Sequence, residues 1–254
     1  MKEANKGLET VQRTLNLLSL FTVDKPEWGI TELAEELGLH KSVVHRMLYT
    51  LHSNSFVNQN VVTKKYRLGV KLLELGMVVN ESMDLRTEAR PFMEKLFKET
   101  GETVLLAIVD GLTGICIEKI ESSEGLKCTS RVGKRVPLNA GYTKLLLAHM
   151  PQESTDLVIN SGLIQFTKQT PTDPNILKKQ IEEIRQIGYS LTYGEMDEGS
   201  VGVSVPLRDY TNTVIGTLAI VGPQFRIEPK LNQYITLCCE TGDQVSRRLG
   251  WLGV

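Results

Sequence analysis

One long stretch of this chain lacks acidic residues. Between Leu37 and Leu73 there is no Asp or Glu, although the whole chain carries 30 of them against 29 Lys and Arg. Lys41, Arg46, Lys64, Lys65, Arg67 and Lys71 lie in that stretch, with His40, His45 and His52, three of the four histidines. DNA carries one negative charge per ~1.7 Å of duplex axis, so a surface that binds it must exclude carboxylates. Charge alone leaves a solvated face as the alternative.

Other absences narrow the class. No run approaches the roughly 18 apolar residues of a membrane span, and no basic-then-apolar signal opens the chain, so a cytoplasmic protein without membrane contact is expected. Cys116, Cys128, Cys238 and Cys239 have no zinc-ligand spacing, and neighbours such as Cys238 and Cys239 on one helix cannot easily chelate one ion together. Buried thiols in a reducing compartment are expected. The segment Asn139-Ala140-Gly141-Tyr142-Thr143 is too short for a phosphate-binding glycine loop. No acid–base pair or nucleophile arrangement stands out, and His149 has no evident partner, so no enzyme activity, cofactor or metal is expected.

Inside the acid-free stretch a helix-turn-helix is legible. Ile30, Leu33, Ala34 and Leu37 recur at helical spacing behind Thr31, a candidate N-cap, and Gly38 suits a left-handed stop. A second helix begins near His40 or Lys41, with Val44, Met47, Leu48 and Leu51 as its apolar face. A plain helical hairpin would satisfy this much. The opposite stripe separates the two: Ser42, His45, Arg46 and Tyr49, with Lys41 at the helix start, can all donate hydrogen bonds and include no acid. A helix of that kind fits the major groove, where Arg reaches two acceptors on a guanine edge. Phe56 to Gln59 and Lys64 to Leu68 then read as two short strands, a wing that brings Lys64 and Lys65 to phosphates. A first helix from about Leu8 to Phe21 is expected to give Val11, Leu15, Leu18 and Phe21 to the core, with Arg13 either on the DNA backbone or in solvent.

Beyond the wing, the apolar segment Val70 to Val79 needs a covering surface, from its own domain or from a partner subunit. A helix follows from Asp84, with Pro91 expected to kink or divide it. Strands are expected at Thr103–Asp110, Ile115–Ile120, Leu126–Val132, Tyr189–Tyr193, Ser200–Leu207 and Val214–Val221. Helices are expected at Gly141–Met150, from Asp173-Pro174 to Gly188, and at Pro229–Leu249. This order gives an α+β domain with a largely antiparallel sheet. The start of the helix at Gly141 offers free N–H groups to an anion. Glu195, Asp197 and Glu198 form an acidic turn, either solvated or holding a ligand or metal.

The strings Val11-Gln-Arg13-Thr14-Leu15, Ile30-Thr-Glu-Leu33-Ala34, Gly38-Leu39-His40-Lys41-Ser42-Val-Val44-His45-Arg46 and Tyr66-Arg67-Leu68-Gly69 resemble the IclR family of bacterial transcription regulators. Thr100-Gly101-Glu102-Thr103-Val104, Lys144-Leu-Leu-Leu147-Ala148, Ile184-Arg185-Gln-Ile-Gly188-Tyr189 and Val205-Pro206 continue the resemblance in order, over nearly the whole chain. It implies a winged helix-turn-helix domain (1–68), a linker helix (69–83) and a GAF-like effector-binding domain (84–254). It also implies operator DNA bound by a dimer or dimer of dimers, more often as a repressor than an activator. A small organic or sugar-derived acid would sit between the sheet and the loop at the Gly141 helix start. The matching positions are Gly141, Tyr142, Thr192, Glu195, Gly202 and Ser204. Tyr142-Thr143 stands in place of smaller residues and Thr192 where Asp is common, which implies a reshaped pocket. A small-molecule enzyme with a helical accessory domain, or a winged-helix protein-interaction module, are the other classes weighed.

Overall fold

The computed structural model describes residues 8–22, 24–81, 84–125 and 130–253. Its contacts divide the chain into two compact units, Met1–Ser82 and Met83–Val254.

The first unit is a winged helix-turn-helix. Its helices are α1 (Glu9–Ser19), α2 (Ile30–Leu37) and α3 (Lys41–Ser53), followed by the strands β1 (Val57–Gln59) and β2 (Tyr66–Leu68) and the helix α4 (Val70–Glu81). Gly38 takes φ +62°, the left-handed stop expected between α2 and α3. The N-cap of α2 is Gly29 rather than Thr31: the Glu32 carboxylate turns back to accept the Gly29 N–H at 2.7 Å. Leu17, Phe21, Leu33, Val44, Leu48 and Val57 are buried together. On α1, Val11 and Leu15 are exposed and Leu17 is the fully buried residue, a correction to the expected core. Helical spacing shows that a stripe is apolar but not which neighbour covers it. Leu8 at the N-cap of α1 with Val11 and Leu15 on it, and Val70, Leu73, Met77 and Val78 on α4, therefore leave two apolar faces exposed in the single chain. The wing is closed against the rest by Trp28, which exchanges both backbone hydrogen bonds with Tyr66. Gly69 joins β2 to α4 against the end of α3; a Cβ there would lie 2.1 Å from the Ser55 carbonyl oxygen.

The second unit is α+β. A six-stranded sheet in the order β5-β4-β3-β8-β7-β6 is antiparallel at every pairing. Its strands are β3 (Thr103–Asp110), β4 (Thr113–Ile120), β5 (Arg135–Pro137), β6 (Ser190–Tyr193), β7 (Ser200–Arg208) and β8 (Val214–Pro223). One face is covered by α5 (Asp84–Thr100) and α10 (Leu231–Arg248), burying Met93, Leu106, Val203, Ile220 and Cys238. The other face meets α6 (Lys144–His149), α7 (Gln152–Asn160) and α8 (Pro174–Ile187), burying Leu105, Leu146, Ile159, Ile181 and Ala219. A short helix α9 (Gln224–Ile227) precedes α10. Asp173 caps α8, accepting from the Asn175 N–H at 2.7 Å. Pro91 leaves α5 undivided, because Ala89, Met93 and Leu96 are held against the sheet on both sides of it. The helix expected from Gly141 begins as a 3₁₀ turn and becomes α-helical at Lys144. Most of the expected strand Leu126–Val132 lies outside the described residues, as does Cys128; Ser130 to Val132 are not strand, and the edge strand is Arg135–Pro137.

His149 ends α6 with a buried Nε2 that has no hydrogen-bond partner. Burial first, then the charges of Arg208 and Arg185, lowers its pKa from 6.5 to about 4. Between those two values the unfolded chain takes up a proton that the native chain does not, so stability falls as pH drops through that window. The substitution His149→Leu should flatten this slope by on the order of 1–3 kcal/mol, less than full burial would give because the ring is partly solvated. Urea midpoints at pH 7 and pH 4.5, followed by Trp251 fluorescence in a Trp28→Phe background, measure it.

Candidate functional sites

The first site is the outer face of α3. Val44, Met47, Leu48 and Leu51 anchor the helix in the core. Its period then turns Lys41, Ser42, His45, Arg46 and Tyr49 outward, and all five are exposed. Arg46 makes no ion pair among the described residues, so its guanidinium is uncommitted. The wing lysines differ from each other. Lys64 is exposed, with φ +58°. Lys65 is folded back onto Glu32 at 3.1 Å, and Glu32 is the carboxylate that caps α2. The Gly29 N–H first, then Lys65, holds the Glu32 carboxyl below its usual range. Arg13 is half-buried on α1 and pairs with Glu9 one turn away.

The second site lies in the other unit, where the 3₁₀ turn Gly141–Thr143 meets β6 and β7. A cavity of about 30 Å³ is lined by Ser130, Lys134, Tyr142, Thr192, Ser200 and Gly202, with Gly141, Glu195, Met196 and Asp197 also on its wall. That volume holds about two water molecules and no metabolite as it stands. The Tyr142 hydroxyl is 3.0 Å from Ser130 Oγ, and Met196 Cγ lies 2.7 Å from where a Gly141 Cβ would be. Ser204 is not on the wall. Its buried Oγ has no partner, as is also true of Ser190 Oγ, and the two residues face each other across β6 and β7.

Glu195 changes the reading of the Gly141 turn. Its carboxylate accepts the Gly141 N–H at 2.9 Å and pairs with Lys144 Nζ at 2.5 Å, and Gln180 Oε1 accepts a further Lys144 proton at 2.8 Å. The anion-binding position foreseen at this helix start is thus filled by the chain's own carboxylate. The acidic turn splits accordingly, since Glu195 is buried while Asp197 and Glu198 are exposed. Burial, opposed by Glu195, pushes the Lys144 ammonium below the ordinary lysine range. Lys134, on the cavity wall, makes no ion pair among the described residues. The roles of Lys134 and Lys144 are not legible from spacing; only the fold shows that one cation is consumed and the other is not. No group of three or more His, Cys, Asp or Glu able to hold a metal is present among the described residues. No described helix is long and apolar enough to cross a membrane.

Breaking a buried pair strands a charge. The single substitutions Lys144→Met and Glu195→Gln should each destabilise this unit by about 3–5 kcal/mol, and the double substitution should cost less than their sum. A double-mutant cycle in urea, read at Trp251, gives the coupling.

Known proteins share this architecture. The description of the IclR helix-turn-helix domain matches residues 10–61, and that of the C-terminal part of bacterial transcriptional regulator IclR matches residues 77–247. The HTH-type transcriptional regulator XynR of Escherichia coli is 32% identical over 247 residues, 96% of this chain and 98% of that protein. The HTH-type transcriptional repressor AllR of Klebsiella pneumoniae is 27% identical over 252 residues, 97% of this chain and 92% of that one. The crystal structure of Thermotoga maritima IclR superimposes with a TM-score of 0.76 at 28% identity, over 96% of this chain and all of that one. These are transcriptional regulators, not enzymes.

Proposed function

The chain belongs to the IclR family of bacterial transcriptional regulators, and on that premise we propose that it is a cytoplasmic repressor whose hold on its operator is altered by a small carboxylic acid. The observation that carries the DNA half is the outer face of α3. Five exposed residues able to donate hydrogen bonds stand there with no carboxylate among them. Arg46 is the base-reading residue, with Ser42, His45 and Tyr49 beside it. Lys41 and Lys64 meet phosphates; Lys65 joins them only by leaving Glu32, and Arg13 by leaving Glu9. The repressor sense follows the printed role of AllR.

The working unit is a dimer, or a dimer of dimers. One winged helix contacts too few base pairs to find a unique operator, and two related half-sites match a two-fold protein. The exposed apolar residues of α1 and α4 supply the surface that a second copy would cover. Residues 1–68 are the DNA head, 69–83 the connecting helix and 84–254 the effector domain.

The effector enters the Gly141–Tyr142 cavity by displacing Tyr142 and Met196. The backbone of the loop that carries Met196 is held, with Thr167 donating to the Gly194 carbonyl, Thr170 to the Glu195 carbonyl and the Gln224 N–H to the Gly199 carbonyl, so the Met196 side chain moves aside rather than the segment. Lys134 takes the acid group, while Thr192, Ser200 and Tyr142 meet hydroxyls or carbonyls. Ser204 acts only from behind the wall. A ligand shifts the DNA affinity only if it favours one arrangement of the chain over another.

Selection of genomic fragments bound by the full chain, followed by reading the genes beside them, tests the regulatory assignment. Arg46→Ala should lose roughly 1–3 kcal/mol of discrimination at one base pair, while Lys64→Ala weakens operator and random duplexes alike. Sedimentation at micromolar concentration should find at least a dimer; a monomer with one-to-one DNA stoichiometry excludes the paired-site reading.

A thermal-shift screen of small organic and sugar acids against the full chain should yield a hit whose stabilisation grows with concentration. That shift should fade in Thr192→Val and Lys134→Met. A hit that stabilises both variants unchanged lies outside this cavity.

A further inference from the structure

The tip of the wing is apolar. Val61 and Val62 are 80% and 84% exposed, although they stand in the part of the chain that excludes acids and carries the DNA-reading helix. Both are β-branched, with few rotamers to lose on contact. Their backbone is fixed from within. Asn60 Oδ1 accepts the N–H groups of Val62 at 2.9 Å and Thr63 at 3.2 Å. The Lys64 N–H donates to the Asn60 carbonyl at 2.9 Å, the Asn60 N–H donates to the Lys65 carbonyl at 2.8 Å, and Gln59 Nε2 donates to the Lys64 carbonyl at 3.0 Å. The tip is therefore a turn closed by its own hydrogen bonds, and it projects two exposed valines.

The surroundings select the occupant. Asn60 to Lys65 contains no carboxylate, and Lys64 and the exposed Arg67 flank the tip with positive charge. The wing is continuous with the recognition helix: Phe56 N–H donates to the Leu51 carbonyl, and β1 starts at the next residue. With α3 in a major groove, a hairpin beside it crosses one phosphate strand and meets the adjacent minor groove. That groove is about 6 Å wide and shows a degenerate polar code, which hydroxyl-free side chains do not need to read. The guanine 2-amino group projects into it, whereas A·T steps leave its floor open to apolar atoms and are more easily deformed at TA.

We propose that Val61 and Val62 form an apolar contact in the minor groove flanking the site read by α3, and that this contact selects A·T-rich steps there. The proposal rests on the DNA-binding reading of α3 but concerns different base pairs.

The test uses the full chain and its Val61→Ser/Val62→Ser double variant, which should melt at the same temperature because both side chains are solvated. Duplexes selected from a random pool by the wild-type chain serve as the probe. The double variant should bind them about five- to tenfold more weakly and lose the flanking A·T preference. It should keep the base preferences that Arg46 gives. Its slope of log affinity against log salt should stay unchanged, whereas Lys64→Ala should lower that slope by about 0.9. Replacing flanking A·T pairs with I·C, which lacks the 2-amino group of G·C but presents its major-groove edge, should leave wild-type affinity intact. If I·C behaves like G·C, the valines touch thymine methyls in the major groove and the proposal is wrong. A double variant with the wild-type flanking profile also overturns it, including the case where only the oligomeric state changes. Loss of all sequence preference by the wild type would instead sink the reading of α3, and this proposal with it.

Discussion

The Glu195 carboxylate, buried with the Lys144 ammonium, holds together the end of the second unit where the Gly141 turn meets the sheet. It arrives from the loop after β6, accepts the Gly141 N–H and meets the Lys144 ammonium, so it ties the edge of the sheet to the start of α6. Desolvating two ions costs several kcal/mol each, and only close geometry with further hydrogen bonds offsets it. Gln180 supplies one such bond from α8, which brings a third element into the arrangement. The 3₁₀ turn, the cavity wall and Met196 all adjoin this carboxylate. The anion position that local rules offer at the Gly141 turn is already filled by the chain's own carboxylate.

Gly141 was recognisable as a helix start with free N–H groups, and Glu195 as part of an acidic turn. What could not be read was that the two, 54 residues apart, satisfy each other. Long-range pairing leaves no periodic trace in a sequence. The same limit explains α1. Val11 and Leu15 have the right spacing for a core stripe, but they face outward, and Leu17 takes the buried place. Lys65 looked like a phosphate contact by its position in the wing, and only folding brings Glu32, 33 residues earlier, within reach.

Local chemistry, by contrast, was legible. Gly38 stops α2 in the left-handed region, Asp173 caps α8, and the apolar period of α3 sets which side chains face outward. Each of these is decided within about one turn of chain, where hydrogen-bond geometry and side-chain period act directly. The antiparallel sheet was foreseen in its major strands for the same reason. The short edge strand Arg135–Pro137 was not, since three residues carry too little alternation to register.

Gly69 has a mechanical consequence. With the Ser55 carbonyl only 2.1 Å from any Cβ, and with the Gly69 N–H bonded to Phe56 and the Lys71 N–H to Ser55, the root of α4 is clamped to the end of α3 and the base of the hairpin. No compliant joint intervenes between this helix and the head that precedes it. The 12 residues of α4 make a rigid arm about 18 Å long at roughly 1.5 Å per residue. Turning that arm by about 10° about its root moves its far end by only about 3 Å, and the same rotation would re-aim the whole reading head. On the proposed reading of α3, a small displacement at the distal end of α4 would therefore re-aim the helix that reads DNA.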